Sequence, residues 1–284
     1  PPLRALPTRL LLPTAQVPPG EAGTPTLLGL RIAQLYELGQ VDAAQQLATP
    51  KPQQPKDTIF LQLPVDAALL QNDLPRACEL IGQGLREDGA AYWQKASVLC
   101  RYTSKDIAGG DLALSLWRDT GGDDPAFSAL AAVLRGDTRV KLESLGSAVS
   151  PLHLAMLRAS GRPAPKDMLD IASPAVLAAL ASYDKADADL RLAAAEAAAR
   201  FGALAPEKLA GAYADLNIPE VQRASLINGK DKSPRAAAAL YQAIKGAPDA
   251  KARADLVRRA FELAQARDLL FPTAAVLKPL LAEI

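Results

Sequence analysis

Residues 72–103 read NDLPRACELIGQGLREDGAAYWQKASVLCRYT, and this stretch decides the fold because it combines two helical periods with both cysteines of the chain. Leu74, Cys78, Ile81 and Leu85 recur at spacings of three and four, as do Trp93, Ala96, Ser97 and Cys100, so each half carries one apolar stripe. Glu87, Asp88 and Gly89 interrupt the period between the halves, and so short a break predicts two antiparallel helices with their stripes facing. Cys78 and Cys100 then lie on the two inner stripes. Counted outward from the turn, Cys100 sits about two residues farther than Cys78, roughly 3 Å along a helix, so a bond between them requires a small stagger. Two readings stand: a disulfide, which belongs to an oxidising compartment such as a periplasm, or two small buried hydrophobes.

Working outward, the whole chain favours the same architecture. Its 284 residues are ample for a core without extra staples. Only 5 % of them are aromatic, and alanine and leucine dominate, which favours closely packed helices over sheets. With 32 basic and 31 acidic side chains the net charge is +1, so no electrostatic case exists for nucleic acid or an anionic membrane surface. No apolar run is long enough to span a bilayer. The chain opens on Pro1 rather than methionine, which reads as a processed or truncated form.

Residues 1–25 contain seven prolines and predict an extended arm, whose leucines lie along the folded body or a partner, or else form a plain tether. Helices are then expected at Thr26–Leu38, Val41–Ala48 and Thr58–Leu70, the last kinked at Pro64, with the proline-rich loop around Pro50, Pro52 and Pro55 between the second and third. After the hairpin come Asp106–Arg118, Pro125–Leu134 and Arg139–Leu145. Asp124-Pro125, Ser150-Pro151, Ser173-Pro174 and Ser233-Pro234 each place a capping side chain before a proline at the first helical position, a strong start signal. Asp187–Phe201, Pro206–Leu216, Pro219–Ile227, Ala250–Ala266 and Thr273–Ala282 follow by period. The total is about fifteen helices with short links, as in a stack of helical pairs. Three units result: the arm 1–25, hairpins over 26–148, and an Ala-rich part over 149–284 continuous with them.

GQVDAA at Gly39, NDLPRA at Asn72 and GGDLAL at Gly109 share a turn residue five positions before a buried helical residue, at spacings of 33 and 37 residues. This is similar to the second-helix entry of tetratricopeptide repeats, where a small residue lets paired helices approach closely. The resemblance covers residues 26–120. The chain also resembles the superhelical, noncatalytic parts of bacterial soluble lytic transglycosylases, Ala-rich helical pairs of a periplasm. It implies an all-α fold, a right-handed superhelical stack of antiparallel hairpins, or α-solenoid.

The residues support no catalytic assignment, and no cofactor or metal is expected. His153 stands alone in SPLHLAML without a flanking motif and reads as structural; one His and two Cys are too few soft ligands for zinc, and phosphate-binding and nucleophile-elbow motifs do not occur. Asp167, Asp170, Asp184, Asp187 and Asp189 lie near helix starts and read as caps. The run from Ala188 to Ala205 either packs on both sides in mid-stack or exposes an alanine face to a partner. Lys251, Arg253, Arg258, Arg259 and Arg267 are interleaved with acids and read as a solvated face. Tyr92, Trp93 and Trp117 are the candidate aromatic anchors for a partner, with a core role as the alternative. The function expected is a noncatalytic periplasmic scaffold or adaptor in an envelope-associated complex with other proteins. The alternatives are a helical accessory domain of peptidoglycan enzymes and a carrier of an apolar ligand.

Overall fold

A computed structural model describes the chain at residues 6–13, 23, 25–49, 58–87, 89–146 and 149–281. Among these residues there are seventeen helices and no strand, apart from one isolated bridge between Val149 and Ala172. In order they are α1 (Leu6–Leu11), α2 (Leu27–Glu37), α3 (Val41–Leu47), α4 (Ile59–Leu70), α5 (Leu74–Glu87), α6 (Ala91–Thr103), α7 (Ile107–Asp119), α8 (Pro125–Arg135) and α9 (Pro151–Ser160). Then follow α10 (Met168–Ile171), α11 (Pro174–Leu180), α12 (Ala188–Phe201), α13 (Pro206–Asp215), α14 (Glu220–Asn228), α15 (Pro234–Lys245), α16 (Ala250–Ala266) and α17 (Leu270–Leu281).

The starts follow from local chemistry. The side chains of Thr26, Asp106, Asp124, Ser173, Asp187, Ser233 and Asp249 each accept a hydrogen bond from an amide in the first turn of the helix they precede. Behind Asp124, Ser150, Ser173 and Ser233 a proline occupies the first turn, where no N–H is needed.

Two expectations are corrected. The segment from Arg139 to Leu145 is not helical. Asp137 accepts the Arg139 amide at 2.9 Å and turns the chain, and the Leu145 and Gly146 amides donate to the Asp167 carboxylate at 3.0 and 3.3 Å instead of to carbonyls one turn back. The arm is not wholly extended either, because Leu6–Leu11 form α1, with Pro7 tolerated in the first turn. Arg31 on α2 donates to the carbonyls of Leu11 and Pro13 and holds the end of α1. Residues 1–5, 14–22 and 24 of the arm, and the loop with Pro50, Pro52 and Pro55, lie outside the described residues.

In the α5–α6 hairpin the stripes face as their spacing requires. Gly84 makes room for the Trp93 ring, since a Cβ there would fall 2.5 Å from it. Cys78 and Cys100 are joined as a disulfide, their Cα atoms 5.6 Å apart. Helices α4 to α7 pack in succession, α8 lies on α6 and α9, and α9 returns to α4. Farther on, α11, α12, α13 and α15 pack in turn, and α17 closes on α12, α13 and α16. One apolar core runs from Val65 to Val276 through both the hairpins and the Ala-rich part. In the middle lies α12, whose Leu190, Leu192, Ala194, Ala195, Ala198 and Ala199 are buried, so the alanine run packs on both sides. Contacts of α9 with α4, and of α11 with α2 and α4, join segments distant in sequence, so the chain folds back on itself where a linear stack would join only neighbours.

Candidate functional site

The return of α9 and α11 onto the early helices leaves an open groove of about 970 Å³. Its walls are mostly helix ends: the α2–α3 turn, the end of α4 with the start of α5, the end of α9, α11 with its following turn, and the link from α12 to α13. Alanines 155, 159, 178, 179 and 203 give it shallow relief, while Asp42, Asp184 and Lys208 supply exposed charge.

Three contacts set its shape. Gly39 adopts φ +76°, and a Cβ there would sit 2.5 Å from that of Ala203 and 2.9 Å from that of Pro174, so the α2–α3 turn presses directly on the α11 and α12 ends. Beside it, the Gln40 side-chain Nε2 donates to the Gly202 carbonyl at 2.6 Å. Arg158, near the end of α9, donates to the Leu69 and Leu70 carbonyls at 3.3 and 3.0 Å and to the Ala179 carbonyl at 2.7 Å. One guanidinium thus meets carbonyls at the negative ends of α4 and α11. Burial lowers the Arg158 pKa, partly opposed by Tyr183. Tyr183 is itself pushed up to about 12 by burial and by Asp184, and its hydroxyl donates to the Leu157 and Arg162 carbonyls at 3.2 and 2.6 Å.

The aromatic anchor candidates do not line this groove. Trp93 is 1 % exposed and Trp117 5 %, the latter edge-on to Phe127 at 4.9 Å, so both are core side chains on their helices' buried stripes. Tyr92 is half-buried and donates to Asp66 at 2.9 Å, leaving its hydroxyl engaged within the protein.

Other polar clusters are built into the body. His153, 2 % exposed, lies between Ser150 and Asp124 in a Ser-His-Asp arrangement. The Ser150 amide donates to Nδ1 at 3.1 Å, which assigns the ring proton to Nε2 and directs it to Asp124 at 3.0 Å. The ring therefore closes a capping box, and burial lowers its pKa, with Asp124 opposing. Burial would raise the Asp124 carboxyl, but hydrogen bonds from Lys95 and the Phe127 amide hold it below the usual range. Asp66 accepts from Tyr36 as well as Tyr92, both at 2.9 Å, and burial pushes its carboxyl up to about 6 against those two bonds.

Glu196, 2 % exposed on α12, is held by both terminal nitrogens of Arg267 and by the Tyr213 hydroxyl at 2.8 Å. Arg267 is thus mostly buried and paired, in contrast to the solvated face expected of it and its neighbours, among which Arg258 pairs with Glu262 on the surface. Of the acids read as caps, Asp187 caps α12, Asp167 serves the 145–146 amides, and Asp189 pairs with Arg235. The apolar cavity between Tyr213, Ala260 and Val276 holds about 20 Å³, room for about one water.

Among the described residues no group of three or more His, Cys, Asp or Glu side chains is placed to hold a metal, and no helix is long and apolar enough to cross a membrane. Comparison with protein-family models, with curated proteins and with solved structures returns no significant match.

Proposed function

We propose that this chain is a noncatalytic scaffold or adaptor of the bacterial periplasm, a superhelical stack of tetratricopeptide-like hairpins closed back on itself, which holds an extended segment of a protein partner in the groove between α4, α9 and α11. The groove carries the reading: it is partly open to solvent and lined by alanines together with exposed Asp42, Asp184 and Lys208, a surface that accepts a chain with small and charged side chains. The Cys78–Cys100 disulfide supports an oxidising compartment.

The test places a photo-crosslinking residue at Ala159 or Ala178 in the groove and, as control, at exposed Gln83 on α5, in the cells that make the protein. The expected result is one envelope protein captured from the groove positions and not from Gln83, with capture lost in Ala178→Trp, which fills the groove. Equal capture at all three positions, or free thiols at Cys78 and Cys100 in the cell, overturns the proposal.

A further inference from the structure

Helix α4 serves two apolar cores, and the change from one to the other falls at a proline. Its Ile59, Phe60 and Leu63 pack with Ile32, Leu35 and Ala44 of α2 and α3, while its Val65, Ala68 and Leu69 belong to the core that runs on to Val276. Pro64 stands between the two sets, inside the helix. It has no N–H to offer the Phe60 carbonyl, and its ring crowds that turn, so α4 is weakest at the residue where the cores part. Sharp bends in helices gather at such prolines.

Helices α1, α2 and α3 with the first turn of α4 thus form a small body that shares no buried core residue with the large one. One junction between the bodies lies beside the proline, where Asp66 accepts from Tyr36 of α2 and from Tyr92 of α6. Another is the α2–α3 turn, where Gly39 lies against Ala203 and Pro174 and the Gln40 side chain donates to the Gly202 carbonyl. That turn is also a wall of the groove, through Gly39, Val41 and Asp42, whereas Leu69, Leu70, Arg158 and Ala178 on the other walls belong to the large body. The junction at Asp66 sits next to the bend and moves little when α4 flexes. The junction at the turn is an exposed hydrogen bond and a glycine contact at the edge of the groove.

On the reading that the groove holds a partner segment, we infer that α1–α3 are its hinged wall: α4 bends at Pro64, the Gln40–Gly202 latch parts, and the groove widens to admit the segment and then closes on it. A single exposed hydrogen bond adds little to the closed form, so the open form is a minor population of the free protein.

Pulsed electron–electron double resonance on the full, oxidised chain tests this with no partner present. Nitroxides are placed on Gln46→Cys of α3 and Lys208→Cys of α13, both exposed, and, as a control pair within the large body, on Gln83→Cys of α5 and Lys208→Cys. The first pair is expected to give a main distance with a minor longer one, and the control pair a single distance. Gln40→Ala, which removes the latch bond, is expected to raise the ratio of long to short about fivefold, and Pro64→Ala, which restores the α4 bond, to lower it. A single distance for the first pair with and without Gln40→Ala, equal broadening of the control pair, or a long population that Pro64→Ala leaves unchanged overturns the inference. Unchanged far-UV circular dichroism separates a shifted hinge from lost folding. Failure of these distances removes the hinge and leaves the partner groove standing, while failed capture at Ala159 and Ala178 removes the partner groove and leaves the measured motion.

Discussion

Replacing Glu196 by alanine is expected to cost this protein about 4 kcal/mol, far more than an alanine substitution on a helix usually does. The carboxylate is almost wholly buried and receives both the Arg267 guanidinium and the Tyr213 hydroxyl. Its removal leaves a mostly buried cation without a counter-charge and a buried hydroxyl without an acceptor. Breaking such a pair from one side costs roughly 3–5 kcal/mol, because the orphaned charge keeps its desolvation penalty. For 284 residues the unfolding entropy is about 0.6 kcal/mol per kelvin, so the melting temperature should fall by about 7 °C. Thermal and urea unfolding followed by circular dichroism measure this, and a cycle with Arg267→Ala isolates the pair, with an expected coupling of at least about 2 kcal/mol. A loss below about 1 kcal/mol for Glu196→Ala, or a coupling within about 0.5 kcal/mol of zero, would falsify the account of this cluster.

The other expected outcomes concern the disulfide, the groove turn and two buried acid–base groups. The bond between Cys78 and Cys100 closes a loop of sequence separation 22, and its replacement by two serines should lower stability by about 3 kcal/mol, read from urea midpoints. Gly39→Ala forces a side chain into left-handed backbone and against Ala203, and should cost about 2–4 kcal/mol in the same assay; a neutral result would contradict the tight turn. Asp66 has its folded pKa raised to about 6 from 3.8, so the folded state binds the proton more tightly and stability from this group is present at low pH and lost as pH rises from about 4 to 6. Relative to Asp66→Asn, the wild type should lose roughly 2 kcal/mol between pH 4 and 7, and parallel pH profiles would refute this. His153 is shifted the other way, so its contribution is present above about 6.5 and is lost as pH falls; relative to His153→Asn the wild type should weaken from pH 7 to 5.

What the sequence made legible was what is local. An Asp or Ser ahead of proline states where a helix begins within four residues, and each of these starts is where the spacing predicts it. Cys78 and Cys100 could be paired because a short turn fixes which stripes face. Arg139–Leu145 misled because its amide donors are taken by Asp167, a partner that helical period cannot register. Trp93 and Trp117 sit on the buried stripes of their own helices, which favoured a core role from the start. The groove was not legible at all. Arg158 finds its acceptors on α4, and Gln40 its acceptor at Gly202, across intervals that leave no periodic trace.

These distant links carry a further consequence. Alanine faces such as that of α12 pack closely but with little relief, so neighbouring helices can settle in several registers of similar energy. Each of these buried polar clusters reaches beyond consecutive helices: Asp66 ties α4 to α2 and α6, Arg158 ties α9 to α4 and α11, and Glu196, besides its bond from Tyr213 on the next helix, ties α12 to Arg267 beyond α16. Such groups add little net stability over apolar replacements, yet only one register satisfies them. The hypothesis that they select the register predicts that Glu196→Leu with Arg267→Met keeps the urea midpoint to within about 1 kcal/mol while broadening the amide resonances of α12, α13 and α17. An equally sharp spectrum in that double variant would show that apolar packing alone selects the register, and would leave the polar links as consequences of the fold.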